Sequence, residues 1–261
     1  MSERIVPSNP RVPGGLSAVL IVKDEEEDLP GALENLRGLA DEIVILVGAE
    51  SRDRTEAIAR ESEALVSVRR FDSYAGQKQA ALEMATKRWV LSIDADERVS
   101  PELRLEIPRL LTQAQEDVAG YEIPFSVFFM GRRLRFGGLG HERHLRLFRR
   151  ERGRFVGGAL HEGVEISGRA DRTRGAMNHV PYRDLSEYLA KMDAYTTLAA
   201  RKRHEAGRRF SLGHHLLLPG EFFLRAVVKL GFLDGFPGLV WAGLSAFHSW
   251  LKYVKLRELS K

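Results

Sequence analysis

The chain contains no cysteine among its 261 residues. That excludes disulfides and thiolate metal sites, and it permits a reducing compartment without requiring one. No apolar run approaches the ~18–20 residues of a confident membrane-spanning helix. The polar, proline-containing segment Met1–Gly14 holds no signal-peptide core, and no internal repeat is visible. The expected compartment is therefore the cytoplasm. No basic stripe interleaved with aromatics is present either, so nucleic acid is not an expected partner. What is present is globular: 44% hydrophobic and 29% charged residues, with a net charge of +4. The mild basic excess suits an anionic ligand or an anionic membrane surface and does not choose between them. The length allows one large domain, or one domain with an appendage.

Apolar strands alternate with helical spacing along the first ninety residues. Leu16–Val22 reads as a buried strand, followed by acidic Lys23-Asp24-Glu25-Glu26-Glu27-Asp28 and then Leu29, Leu33, Leu36 and Leu39 on one helix face. Asp41–Val47 is a second strand running into the turn Gly48–Ser51, and Asp53-Arg54-Thr55 opens a second helix. Leu65–Val68 is a third strand, and a helix from Gly76-Gln77-Lys78 leads to Trp89-Val90-Leu91-Ser92-Ile93. This order implies βαβ units and a mainly parallel, Rossmann-like α/β sheet flanked by helices.

That last strand stops on Asp94-Ala95-Asp96-Glu97. On an extended segment Asp94 and Asp96 project to one side, and oxygen ligands of this kind suit Mg²⁺ or Mn²⁺. The carboxyl end of a central strand is where open α/β sheets place ligands. The competing reading is an acidic loop entering a helix, since Ser100-Pro101-Glu102 forms a helix start.

Beyond Ser100, the helix through Leu103, Ile107 and Leu111 is expected to kink or stop at Pro108. Tyr121–Phe125 and Val127–Met130 read as two strands around a bend, and Leu145–Arg150 as a strand of alternating apolar and basic residues. Leu185–Ala200 is an amphipathic helix. The last sixty residues hold short apolar runs broken by Pro, Gly and charge, with Trp241, Trp250 and Tyr253 near Lys252 and Lys255. Such a composition fits helices lying in a membrane interface, or a helical pair packing on the sheet or on a second subunit.

Taken together, Val22–Glu26, Asp53-Arg54-Thr55, Ser92–Arg98, Leu145–Arg149, Leu160-His161-Glu162 and Gly231–Gly235 span nearly the whole chain. In this combination it resembles the inverting family 2 glycosyltransferases, and more narrowly the lipopolysaccharide core β-glucosyltransferase branch. The resemblance implies a GT-A catalytic domain over 15–182, a flexible N-terminus over 1–14, and a helical, membrane-interfacial region over 183–261. It also implies transfer of a hexose, glucose in that branch, from a UDP-sugar to a lipid-linked saccharide at the inner face of the cytoplasmic membrane, with a divalent cation as cofactor. Carried over residue by residue, Asp96 holds the cation, and Asp94 lies against the ribose or the cation's water shell. Lys23, Glu25, Asp53, Lys78 and Arg146 fall on the nucleotide-sugar side. Glu162 is the first candidate to take the acceptor proton and Glu142 the second. His161 and His179 are candidates for the cation or a phosphate, and Arg149 is a further candidate for the diphosphate. Each has a plainer alternative: an exposed lysine for Lys78, surface ion pairs for the two glutamates, a structural hydrogen bond for either histidine.

Two departures stand out. The family's uracil-reading Asp after the second strand is missing from Val47-Gly48-Ala49-Glu50-Ser51-Arg52, which leaves Glu50 as the acidic residue of that turn. Gly137–Glu142 stands where relatives carry an aromatic and an Asp. The nearest alternative enzyme is a polyprenyl-phosphate glycosyltransferase, whose phosphate acceptor needs no strong base, and the missing Asp leaves open a catalytically silent relative that binds a membrane or a partner.

Overall fold

Residues 12–140, 142–157 and 162–260 are described in the computed structural model. The first part of the chain alternates as its pattern predicts: β1 (Leu16–Val22), α1 (Leu29–Leu36), β2 (Glu42–Gly48), α2 (Thr55–Glu61), β3 (Leu65–Arg69), α3 (Tyr74–Met84) and β4 (Trp89–Ser92). β3, β2, β1 and β4 pair in parallel, with Val19 opposite both Val44 and Ser92. All of β4 is buried, and in β1 only Ile21 is partly exposed. Strands this apolar must be covered on both faces, and they are. One face buries Leu16, Leu20, Trp89 and Leu91, and the other packs Val19, Val44, Val90 and Phe148 with Ala81 and Leu82 of α3.

β5 (Glu97–Val99), α4 (Pro101–Gln113), β6 (Val118–Phe129), β7 (Arg132–Leu134), β8 (Arg143–Arg149), β9 (Gly153–Gly157), β10 (Glu162–Ile166), β11 (Arg169–Arg172) and β12 (Met177–His179) follow. The main path of the sheet is β3-β2-β1-β4-β8-β6-β12-β5, and β8 runs antiparallel to both β4 and β6. The architecture is thus a Rossmann-like α/β fold with a parallel half ending at β4.

Two local expectations are corrected. α4 runs unbroken through Pro108, whose ring is buried with Leu103, Ile107 and Leu111, so core contact offsets the missing hydrogen bond. Residues 121–129 form part of the single strand β6, whose register against β8 slips between Tyr121 and Glu122; the irregularity is a bulge and not a break.

The chain divides into two compact units, Met1–Phe125 with Arg143–Asn178, and Ser126–Glu142 with His179–Lys261. Segment 126–142, expected in the catalytic domain, belongs to the second unit. That unit holds α5 (Leu185–Glu205), α6 (Leu217–Phe223) and α7 (Phe236–Leu259). Its core is aromatic: Phe129, Tyr188 and Trp241 meet edge-on, with Leu134 and Met192 beside them. Among the described residues no helix is long and apolar enough to cross a membrane.

α5 starts on a double cap. Asp184 accepts from the Glu187 N–H (2.8 Å), while Glu187 accepts from the Arg183 N–H (2.8 Å) and pairs with Lys191 at 2.9 Å. Burial alone would raise the Glu187 carboxyl, but these donors outweigh it and hold it down to about 2. A depressed carboxylate stabilises the fold above its unfolded value and loses that contribution as pH falls through the folded one. Glu187→Gln should therefore cost about 1–2 kcal/mol near neutral pH. Urea titrations should show this difference from wild type closing between about pH 4.5 and pH 2.

Candidate active site

β4 delivers the chain to the carboxyl edge of the parallel strands. The Ile93 N–H still donates to the Val19 carbonyl (3.1 Å), and then the chain turns, closed by the Glu97 N–H donating to the Asp94 carbonyl (3.1 Å). The acidic segment is a turn, not the extended run that the strand pattern suggested. Asp94 Oδ1 lies 3.1 Å from Lys78 Nζ and Oδ2 lies 3.0 Å from an Arg146 guanidinium nitrogen. The same nitrogen lies 2.9 Å from Glu97 Oε1, and Glu97 Oε2 accepts from the Asp94 N–H at 2.9 Å.

Three elements build this cluster. α3 is capped by Ser73, which accepts from the Gly76 N–H, and its inward face carries Gln77, Lys78 and Ala81. Lys78 is therefore 96% buried (4% exposed), not the ordinary surface lysine of the plainer reading. Arg146 precedes Leu147, which pairs with Leu91, so β8 sets its guanidinium beside the end of β4 and over the Phe125 ring. Burial opposes ionisation of Asp94, but the Arg146 and Lys78 charges hold its carboxyl well below the usual range. Glu97 is 1% exposed; burial pushes its carboxyl up to about 7, Arg146 pulls it down, and Asp94 and Asp96 add repulsion. Glu97 is the central residue that the sequence reading left without a role.

The loops after β1 and β2 are laced together at the same edge. Asp53 Oδ1 accepts from the Thr55 N–H (2.9 Å) and the Ser51 hydroxyl (3.2 Å), and Oδ2 accepts from the Glu26 N–H (3.0 Å). Glu25 donates its N–H to Thr55 Oγ1 at 2.7 Å, and Asp24, at φ 56°, accepts from the Arg52 N–H at 2.8 Å. Burial would raise the Asp53 carboxyl; the Thr55 and Glu26 donors lower it below its ordinary value. Asp53 thus fixes the backbone that presents Lys23 and Glu25. Lys23 is exposed, 3.8 Å from Asp24. Glu50 is exposed and receives the Phe71 N–H on both carboxylate oxygens at 3.3 Å.

Among the described residues no group of three or more His, Asp or Glu side chains gathers as a ready metal site. Asp94 is engaged by two cationic side chains, and Asp96, two residues on in the same turn, is a half-buried carboxylate. One such carboxylate fits a hard divalent ion whose shell is completed by water and phosphate oxygens. His179 is half-buried at the end of β12 and Glu142 is exposed, both in the second unit. His161 and the side chain of Glu162 lie outside the described residues; the Glu162 backbone pairs with Gly157.

Arg149 does not join this cluster. Three residues from Arg146 along a strand, it faces the other way, donating to the Val118 (2.8 Å) and Gln115 (2.9 Å) carbonyls with its guanidinium 4.7 Å from the Trp89 ring. The expectation that it meets a diphosphate is corrected: it is a buried clasp.

Comparison with known proteins decides the family. The sequence profile of Glycosyl transferase family 2 matches residues 17–155, which takes in both laced loops, Lys78, Asp94–Glu97 and Arg146. The chain belongs to that family. The lipopolysaccharide core biosynthesis glycosyltransferase LpsC of Rhizobium meliloti is 31% identical over 91% of this chain and 92% of its own. An uncharacterised glycosyltransferase of Rickettsia typhi is 29% identical over 94% of this chain and 87% of its own. A mycobacterial protein of known crystal structure aligns at a TM-score of 0.43 and 18% identity over 72% of this chain and 74% of that one, too slight a likeness to add to the assignment. The matched range of this glycosyltransferase thus includes the segments that form the charged cluster and the laced loops.

Arg146 and Arg149 of β8 should separate by assay. Arg149→Leu strips buried carbonyls of a charged donor and should cost about 2–3 kcal/mol in urea unfolding, with nucleotide affinity of the folded protein unchanged. Arg146→Leu should weaken nucleotide binding. Equal loss of binding in both variants would contradict the assignment of Arg149 as a clasp.

Proposed function

We propose that this enzyme transfers a hexose, glucose by its family resemblance, from a UDP-sugar to a lipid-anchored saccharide such as the lipopolysaccharide inner core, with inversion. The observation that carries the proposal is the Lys78–Asp94–Arg146–Glu97 network at the end of β4. A nucleoside diphosphate needs fixed cations beside it, and here Asp94 and Glu97 hold two in place, Lys78 and Arg146. Lys78 and Arg146 bind and orient the diphosphate, Asp94 sets their positions from the ribose side, and the loop that Asp53 fixes brings Lys23 and Glu25 to the donor. Glu50 stands at the base-binding end. The name of the Rhizobium meliloti relative supports the lipopolysaccharide acceptor. The exposed apolar residues of the C-terminal helices support work at the inner face of the cytoplasmic membrane.

Asp96, with Asp94 as a further candidate, would hold a Mg²⁺ or Mn²⁺ ion, which when bound offsets negative charge on the departing diphosphate. Glu162 accepts the acceptor hydroxyl proton as that oxygen bonds to the anomeric carbon and the carbon–diphosphate bond opens on the opposite face, giving inversion.

Calorimetric titration with UDP, with and without Mn²⁺, tests the donor half: binding should require or be strengthened by the ion. Asp96→Ala should lower transfer by about 10²–10³-fold while changing unfolding free energy by less than about 0.5 kcal/mol. Wild-type turnover in that variant would overturn the cation assignment. Glu162→Gln should lower transfer by about 10²–10⁴-fold with UDP affinity retained, and near-normal turnover would point to an acceptor phosphate that needs no base.

A further inference from the structure

We propose that the turn between α6 and α7 is a membrane-docking tip that seats this enzyme on an anionic lipid surface. The inference rests on the lipid-linked acceptor proposed above and names the surface that would bring the enzyme to it. From Phe222 to Leu239 the chain passes through one π-helical turn (Leu224–Val228) and one 3₁₀ turn (Gly231–Asp234) before α7 begins. Its large apolar side chains point outward: Phe223 is 58% exposed, Val228 60%, Phe232 48%, Leu233 49% and Phe236 68%. Scattered exposed apolar residues need no explanation, but a run of them at one turn marks an interaction site.

The turn is not loose. Asp234, 4% exposed, accepts from the N–H groups of Arg135 (3.0 Å) and Phe136 (2.9 Å). The Gly137 N–H donates to the Lys229 carbonyl at 2.8 Å, and Arg225 donates to the Gly137 carbonyl at 3.2 Å. Leu230 is held at φ 56°, and a Cβ on Gly238 would lie 2.1 Å from the Gly231 carbonyl oxygen. Interior bonds and a close backbone crossing thus hold the apolar side chains out in water.

Charge selects the occupant. Between Phe222 and Leu239 the only acidic residue is Asp234, and it is buried. Around the tip stand exposed Lys229, Arg132 and Arg135, with an Arg132 guanidinium nitrogen 3.4 Å from where a Gly235 Cβ would sit. Aromatic and aliphatic side chains rimmed by Arg and Lys, with no exposed carboxylate among them, match the boundary between acyl chains and anionic headgroups. A protein-binding patch has no such need for one sign of charge.

The test is flotation of the full-length protein with vesicles of phosphatidylcholine alone, or with phosphatidylglycerol added, and with no saccharide lipid present. Binding should require phosphatidylglycerol and weaken as salt is raised. Phe232→Asp with Leu233→Asp should lower the partition at least about tenfold, and Arg132→Gln should lower it about fivefold. Because all three side chains are exposed, melting temperature and UDP affinity should stay at wild-type values. No binding to either vesicle, or binding indifferent to phosphatidylglycerol, overturns the proposal. So does a wild-type dimer that the double variant turns to monomer without any vesicle binding, since the tip would then be a protein contact. Protein that binds UDP but not vesicles leaves the donor reading standing and removes this one; vesicle binding without UDP binding does the reverse.

Discussion

Asp94 and Glu97 are brought together by one turn at the end of a buried strand, and two carboxylates so placed cannot both ionise without cations from elsewhere in the chain. Lys78 arrives from α3 and Arg146 from β8, so the cluster depends on the face α3 buries and on the register of β8 against β4. A buried ionic network of this kind is weak evidence for stability, because well-packed apolar side chains would serve the fold as well. What it provides is position. Lys78 and Arg146 are fixed by contacts to Asp94 and Glu97, so the diphosphate role proposed for them would need little reorganisation, the condition under which fixed charges assist charge development most.

The loops after β1 and β2 follow the same logic with neutral donors. Asp53 collects the Glu26 and Thr55 N–H groups and the Ser51 hydroxyl, so loops that would each be flexible alone are held as one surface at the carboxyl edge of the parallel strands. In the second unit Asp234 does likewise, gathering the Arg135 and Phe136 N–H groups to hold a turn whose apolar side chains face outward. In both places a buried or half-buried carboxylate accepts backbone N–H groups that the loop would otherwise leave without partners. These loops are thereby ordered without a large apolar core of their own.

Much of this was legible in the sequence, and the limits have physical causes. Apolar runs and helical spacing located β1, β2, β4 and α1, because strands covered on both faces leave an unambiguous pattern, and the short apolar run Leu65–Val68 located the more exposed β3. The end of β4 marked the acidic cluster for the same reason. The turn at Asp94–Glu97 was not legible, since two carboxylates two residues apart converge only if the backbone stays extended, and the hydrogen bond from the Glu97 N–H to the Asp94 carbonyl shows that it does not. Nor was the role of Glu97, whose partner Arg146 lies 49 residues away and is placed by strand register alone.

The separation of Arg146 from Arg149 is legible in strand parity, not in composition. Both are arginines on one short strand and equally able to meet a phosphate by composition, but an odd spacing on a period-two element sends them to opposite faces. Arg146 then meets the acidic turn and Arg149 the Trp89 ring and two carbonyls. Residue type gives what a side chain is able to do, and strand parity decides which of two identical side chains is placed to do it. That parity argument needs no structure, only the commitment that Leu145–Phe148 is a strand with Leu147 facing the core.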